Sequence, residues 1–222
     1  MAKTIFITAT DTEVGKTFIT AGLGCAAQMK GVSVGISKPI SAGGIDDAIY
    51  YKKKLKLKDS IDSINPIKFK QPLSPYAAMK TENIKFDINM IRKSIRHFRG
   101  NRDLVLVEGL GGALAPIKKN YYIADLIKDL NIPCLIIARA GLGTINHTLM
   151  TIEVLKKRKI KITGIIMNGF DGSEISQRSN AEVIEELSGV KIIGKIKARS
   201  TLASLVQQIR EQKVLEKWIL KR

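Results

Sequence analysis

Between a short β-branched run, Thr4-Ile5-Phe6-Ile7-Thr8, and a helical pattern from Lys16 to Lys30 lies Ala9-Thr10-Asp11-Thr12-Glu13-Val14-Gly15-Lys16-Thr17. Strand, tight loop and helix in that order place unpaired backbone N–H groups and the positive end of a helix dipole at one spot, where phosphate oxygens are favoured. In such a loop Thr12, Glu13, Val14 and Gly15 form the nucleotide-binding backbone. Lys16 reaches the β- and γ-phosphates, and the Thr17 hydroxyl holds Mg²⁺. The common spacing G-x-x-x-x-G-K-[ST] asks for glycine at position 10, where this chain has Thr10.

Other reactive side chains sit just after strand-like runs. Leu104–Val107 leads into Glu108-Gly109-Leu110-Gly111-Gly112. A carboxylate there either supplies a second Mg²⁺ contact or caps a turn, and Gly111 and its neighbours let backbone approach a ligand closely. Lys38-Pro39 follows the strand-like Val32–Ser37, and Asp46 and Asp47 a few residues on both offer a further metal ligand. His147 at a helix start is read as catalytic or, more plainly, as a histidine satisfied by a neighbour. Cys25 and Cys134 read as small core residues.

These positions must be held by a scaffold, and its pattern is legible. Strand-like runs at Thr4–Thr8, Val32–Ser37, Leu104–Val107, Pro133–Ala138, Ile162–Met167 and Val190–Ile196 alternate with helical stretches. Those stretches are Lys16–Lys30, Asp46–Leu57, Phe86–Phe98, Ile123–Leu130, Thr144–Lys157, Ile175–Leu187 and Thr201–Leu220. Strands apolar throughout, separated by helices, predict a doubly wound α/β domain with a mostly parallel sheet flanked by helices. With no linker or repeat to divide it, the expectation is one domain over 1–222, its ligands at the carboxyl ends of the strands. Asp59–Glu82, with Pro66, Pro72 and Pro75, reads as loop.

Bulk composition narrows the function classes. The 222 residues are 45% hydrophobic and 26% charged, enough for a sizeable core. Two cysteines build neither a disulfide framework nor a zinc ribbon, which fits a reducing, cytoplasmic setting. No apolar run approaches a membrane span and no signal-peptide pattern opens the chain. The net charge of +17 invites a nucleic-acid reading. Yet 27 of the 37 basic residues are Lys, scattered along the chain beside only 12 aromatics. The lysine run at 52–58 reads as a solvated helix face, so the charge speaks to solubility, and neither nucleic acid nor membrane is the expected partner.

Several segments together resemble the dethiobiotin synthetase family, in the family's order and over Thr4 to about Lys195. They are Thr10–Thr17, Lys38-Pro39-Ile40, Ser74-Pro75, Val107-Glu108-Gly109-x-Gly111-Gly112, Gly141-Leu142-Gly143-Thr144-Ile145-Asn146-His147 and Gly164-Ile165-Ile166-x-Asn168. The resemblance implies a P-loop fold and an ATP- and Mg²⁺-dependent carboxylation of 7,8-diaminopelargonate by CO₂. It implies Asp47 and Glu108 as acidic Mg²⁺ partners beside Thr17, and Lys38 as the active-site lysine on the carbamate and its phosphorylated form. Glu13 then lies beside the phosphates and Asn168 reads adenine. Gly143, Thr144 and Asn146 reach the diamine across a homodimer interface.

The chain departs from the family pattern at Ala9 and Ala42, where Gly and Ser are usual, which leaves Ser41 as the hydroxyl available to substrate. Tyr76 stands where His is common, and the Gly194–Lys197 segment, which lines the adenine pocket in the family, lacks the proline that normally follows. Weak base selectivity is therefore expected. Three rivals share the phosphate loop. A partitioning-type ATPase switch acting on membrane or DNA would carry a second lysine where Asp11 stands, although the basic, amphipathic Thr201–Arg222 suits an anchor. A cobyrinate-type amidotransferase would need a nucleophilic Cys in a strand–turn–helix elbow, and a GTPase an Asn-Lys-x-Asp signature in place of Met167-Asn168-Gly169-Phe170.

Overall fold

The computed structural model describes residues 2–218. In chain order its elements begin β1 (Lys3–Ala9), α1 (Lys16–Gln28), β2 (Val34–Ser37), β3 (Ile40–Ala42), α2 (Asp46–Lys54), α3 (Ile61–Ile64) and β4 (Ile67–Phe69). Next come α4 (Pro75–Glu82), α5 (Ile88–Asn101), β5 (Leu104–Glu108), β6 (Pro116–Lys118), β7 (Tyr121–Tyr122) and α6 (Ile123–Leu130). The chain continues through β8 (Cys134–Arg139), α7 (Thr144–Lys157), β9 (Ile162–Phe170), α8 (Ser176–Ser188), β10 (Ile192–Lys197), α9 (Leu202–Glu211) and α10 (Val214–Trp218).

Six strands form one parallel sheet in the order β10-β9-β8-β1-β5-β2. Every residue of β5 and the first five of β8 are buried, as expected of strands covered on both faces. From β1 the chain steps outward to β2, fills the gap with β5, then crosses to β8 on the other side. Strand order thus reverses around β1, and such a reversal opens a crevice at the carboxyl ends of the strands. The phosphate loop leaves β1 at that point.

The 59–82 segment corrects the expectation of loop. It holds α3, β4 and α4, and β3 and β4 pair as a small parallel sheet, with Ser41 opposite Lys68. Ile64, Ile67 and Phe69 are buried there. The prolines that argue for loop instead mark element boundaries. Pro75 opens α4, where a missing N–H costs nothing, and Ser74 caps it by accepting from the Ala77 N–H.

The expected terminal helix is also revised. It breaks at Gln212 and Lys213, the latter in the left-handed region, to give α9 and α10; residues 219 and 220 of that expectation lie outside the described part. Leu205, Val206 and Ile209 of α9 are buried, and Leu205 and Ile209 fill the space beside Gly22 of α1. The apolar stripe that suited a membrane anchor is therefore part of the core. Among the described residues no helix is long and apolar enough to cross a membrane.

Candidate functional site

The phosphate loop takes its shape from two left-handed residues, Glu13 (φ 57°) and Gly15 (φ 92°). Thr10 is not among the positive-φ residues, so the spacing's first glycine is dispensable here. Gly15 is not. A Cβ there would sit 2.4 Å from Nδ2 of Asn168, and its φ is one that L side chains rarely adopt. Asn168, on β9, donates from Nδ2 to the Val14 carbonyl at 3.0 Å and so pins the loop to the sheet. Val14 is buried, while Thr12 and Glu13 are exposed.

Lys16, at the start of α1, turns back over the loop and donates to the Asp11 carbonyl at 3.1 Å. It is buried, and that burial pushes its pKa down to about 8, with Glu108 opposing and Lys38 adding to the fall. An ammonium that is poorly solvated and donates to a neutral carbonyl is primed for phosphate.

At the next residue, Thr17, four side chains from four segments meet. Thr17 Oγ1 lies 3.1 Å from Asp47 Oδ1 and 3.0 Å from Glu108 Oε1, and its single proton serves one of them at a time. Lys38 Nζ lies 2.6 Å from both Asp47 Oδ2 and Glu108 Oε1. Between the two candidate aspartates the structure selects Asp47, because the first turn of α2 aims it at Thr17 while Asp46 is exposed. Burial opposes the charge on Lys38, but Glu108 and Asp47 outweigh it and hold the lysine above its ordinary pKa. Glu108 has no exposure, and that burial raises its carboxyl pKa, with Asp47 adding to the rise and Lys38 and Lys16 restraining it.

Glu108 Oε2 is a buried oxygen without a hydrogen-bond partner among the described residues. Buried polar atoms are rarely left so, which marks a place for a group that binds there. Thr17, Asp47 and Glu108 together give two carboxylates and a hydroxyl. Among the described residues no cluster of three or more His, Cys, Asp or Glu stands ready for a metal. A short set of hard oxygen donors, leaving positions for water and phosphate, fits Mg²⁺ rather than an all-protein metal cage.

Beside the loop opens a cavity of about 750 Å³, lined by Asp11, Thr12 and Glu13 on one side. Its far wall comes from Gly111 and Leu114 after β5, and from His147, Met150 and Thr151 of α7. His147 Nδ1 lies 3.4 Å from an Arg139 guanidinium nitrogen. Ala42 faces this cavity, whereas Ser41 is buried and donates its proton to Asn65 Oδ1 at 2.7 Å. Gly143 caps α7 at φ 85°, and Thr144 is buried with its hydroxyl on the Arg139 carbonyl at 2.6 Å. Asn146 is exposed on the first turn of α7. The phosphate-loop, Lys38, Asp47 and Glu108 residues are thus brought together by one chain, while Asn146 is turned to the surface. Asn65 and the apolar cavity wall escaped sequence reasoning, and the Asn-Pro pair at 65–66 signals no more than a turn.

Residues 3–205 match the model of a family described as an AAA domain. The chain is 38% identical over 198 residues to the ATP-dependent dethiobiotin synthetase BioD of Endomicrobium trichonymphae, covering 87% of this chain and 92% of that one. It is 41% identical over 192 residues to the protein of the same name from Methanococcus vannielii, covering 86% and 91%. Among solved structures it resembles the MinC:MinD cell division protein complex of Aquifex aeolicus, with a TM-score of 0.65, 18% identity and coverage of 100% and 99%. It also resembles the signal recognition particle receptor FtsY of Elizabethkingia anophelis in complex with GDP, with a TM-score of 0.60, 14% identity and coverage of 100% and 64%. At such identities the two structures share a fold with this chain.

Proposed function

The chain belongs to the ATP-dependent dethiobiotin synthetase family, and from that premise we propose that it closes the ureido ring of dethiobiotin from 7,8-diaminopelargonate, CO₂ and ATP. The observation that carries this reading is the convergence of Lys16, Thr17, Lys38, Asp47 and Glu108 beside a cavity with apolar walls. A linear diamino acid has an apolar middle and charged ends, and the cavity offers both kinds of surface.

The proposed chemistry needs no protein nucleophile. One amine of the substrate adds to CO₂ and loses a proton, giving a carbamate. A carbamate oxygen attacks the γ-phosphorus and ADP departs, leaving a carbamic–phosphoric anhydride. The second amine attacks the carbonyl, phosphate leaves, and a proton is released as the ring closes. Negative charge grows on carbamate and phosphoryl oxygens in the middle step. Lys38 supplies a positive charge fixed at the ends of β2 and β5, and Lys16 and the loop amides supply the phosphate side. Thr17, Asp47 and Glu108 would hold Mg²⁺, which when bound neutralises phosphate charge. Asp47 and Glu108 also keep Lys38 charged between turnovers.

The exposed Asn146, with Gly143 and Thr144 at the start of α7, supports a homodimer in which one subunit's α7 reaches the substrate of the other. A cytoplasmic setting, where ATP is made, fits this reaction. Incubation with 7,8-diaminopelargonate, bicarbonate and Mg-ATP, followed by mass analysis, tests the proposal. Dethiobiotin formed in step with ADP supports it; ATP hydrolysis without dethiobiotin overturns it.

A further inference from the structure

Lys38 occupies an awkward place. It follows the last residue of β2, and the next residue, Pro39, has no N–H to donate. The facing segment has the same defect, since Asn65 precedes Pro66. Where these two stretches cross, a ladder of backbone hydrogen bonds lacks two of its donors.

The side chain of Asn65 makes good the loss. It has no solvent exposure. One of its amide hydrogens goes to the Lys38 carbonyl at 2.7 Å and the other to the Ile67 carbonyl at 3.1 Å. Its Oδ1 accepts from Ser41 Oγ at 2.7 Å. The Lys38 N–H donates to the Ile64 carbonyl at 2.7 Å, and the Ile67 N–H to the Pro39 carbonyl at 3.2 Å. Both polar atoms of the Lys38 peptide are therefore held by residues 64 and 65, one of them by a side chain.

We propose that Asn65 is a positioning residue for Lys38: its side-chain amide fixes the peptide from which the Lys38 ammonium reaches the reacting oxygens. The assignment rests on the role of Lys38 proposed above. Asn65 touches neither Lys38 Nζ nor the cavity, so it acts through the backbone alone. A displacement of about 1 Å in a charge-stabilising group costs up to about 100-fold in rate.

Asn65→Asp keeps the shape and removes both donors, turning a carboxylate toward two carbonyl oxygens. The expected result is a fall in kcat of about 10-fold or more, with the KM for ATP changed by less than about twofold, since the phosphate loop is untouched. In a Lys38→Gln background the same substitution should add no further loss, because the position it holds no longer matters. Buried Lys38 should also react faster with an acylating reagent in Asn65→Asp than in the unsubstituted protein, read by peptide mass analysis. Where circular dichroism shows Asn65→Asp unfolded, Asn65→Ser carries the same measurements. Unchanged kcat, multiplying losses in the double variant, or unchanged acylation of Lys38 would each overturn the proposal. Full activity of Lys38→Gln together with faster acylation in Asn65→Asp would overturn the catalytic role of Lys38 while leaving its placement by Asn65 standing.

Discussion

Replacing Thr17 by valine removes one hydroxyl and keeps the branched shape, so its consequences can be worked out. In the protein without ligand, that hydroxyl has one proton to share between Asp47 Oδ1 at 3.1 Å and Glu108 Oε1 at 3.0 Å. A hydrogen bond to a charged group contributes about 1.5–3 kcal/mol. Here the lower end applies, because both carboxylates keep the Lys38 ammonium at 2.6 Å. A loss of about 1.5 kcal/mol in a chain of this size lowers Tm by about 3–6 °C, which leaves the fold intact. The effect on turnover is larger, because the hydroxyl is one of three protein groups proposed to hold Mg²⁺, and kcat should fall by about 100-fold or more. Differential scanning fluorimetry separates the two effects. In the unsubstituted protein, Mg²⁺ with a non-hydrolysable ATP analogue at 100 times its Kd should add about 2.7 kcal/mol of stability. In Thr17→Val the analogue alone should still raise Tm, while the extra rise on adding Mg²⁺ should disappear. Retained turnover, or an undiminished Mg²⁺-dependent rise in Tm, would refute the assignment of Thr17 to the metal.

Three other outcomes are expected. Lys38→Gln should lower kcat by about 10²–10³-fold with the Kd for ATP preserved, and calorimetric loss of ATP binding would place the lysine at the wrong end of the substrate. Lys16 has a pKa near 8 in the folded protein against an ordinary 10.5, so between those limits the unfolded chain binds more protons. Its contribution to the stability of the ligand-free protein therefore rises with pH from about 8 toward 10.5, while the Kd for ATP should weaken above pH 8; calorimetric titrations giving a flat affinity from about pH 7 to 9.5 would rule this out. Base selectivity should stay near tenfold when kcat/KM is compared for ATP, GTP, CTP and UTP. Asn168 has given Nδ2 to Val14, Gln212 holds both the N–H and the carbonyl of Lys195, and Gln208 holds the N–H of Lys197. One remaining hydrogen bond is worth about 0.5–1.5 kcal/mol, and a preference for ATP beyond about a thousandfold would show that the segment rearranges over adenine.

Much of this protein is legible in its sequence because local rules and the tertiary fold agree. All-apolar strands alternating with helical periods specify a parallel sheet covered on both faces, and the helix bounds read at Ile123–Leu130 and Thr144–Lys157 are those observed. The phosphate loop is local in the chain, so its residue types carry its conformation, down to Gly15 in a region closed to other residues. The strand end at Ser37 could also be placed, and the one read at Val107 falls one residue short of Glu108; such ends are where a parallel sheet presents side chains to ligands.

What the sequence left open depends on contacts between distant segments. The residues by themselves offer Asp46 and Asp47 alike, and only the family resemblance points to Asp47; the pitch of α2 turns that second aspartate toward Thr17, 30 residues away along the chain. Residues 59–82 read as loop because prolines punctuate them, and their structure comes from β3 pairing with β4 and from Ile64, Ile67 and Phe69 entering the core. The amphipathic stripe of α9 looks the same whether it meets a membrane or α1, and only the packing of Leu205 and Ile209 against Gly22 decides between them. Asn65 is the extreme case. Nothing in a lone Asn-Pro pair shows that its amide will meet the carbonyl of Lys38, 27 residues earlier, because hydrogen-bond partners are chosen by the fold that brings them within reach.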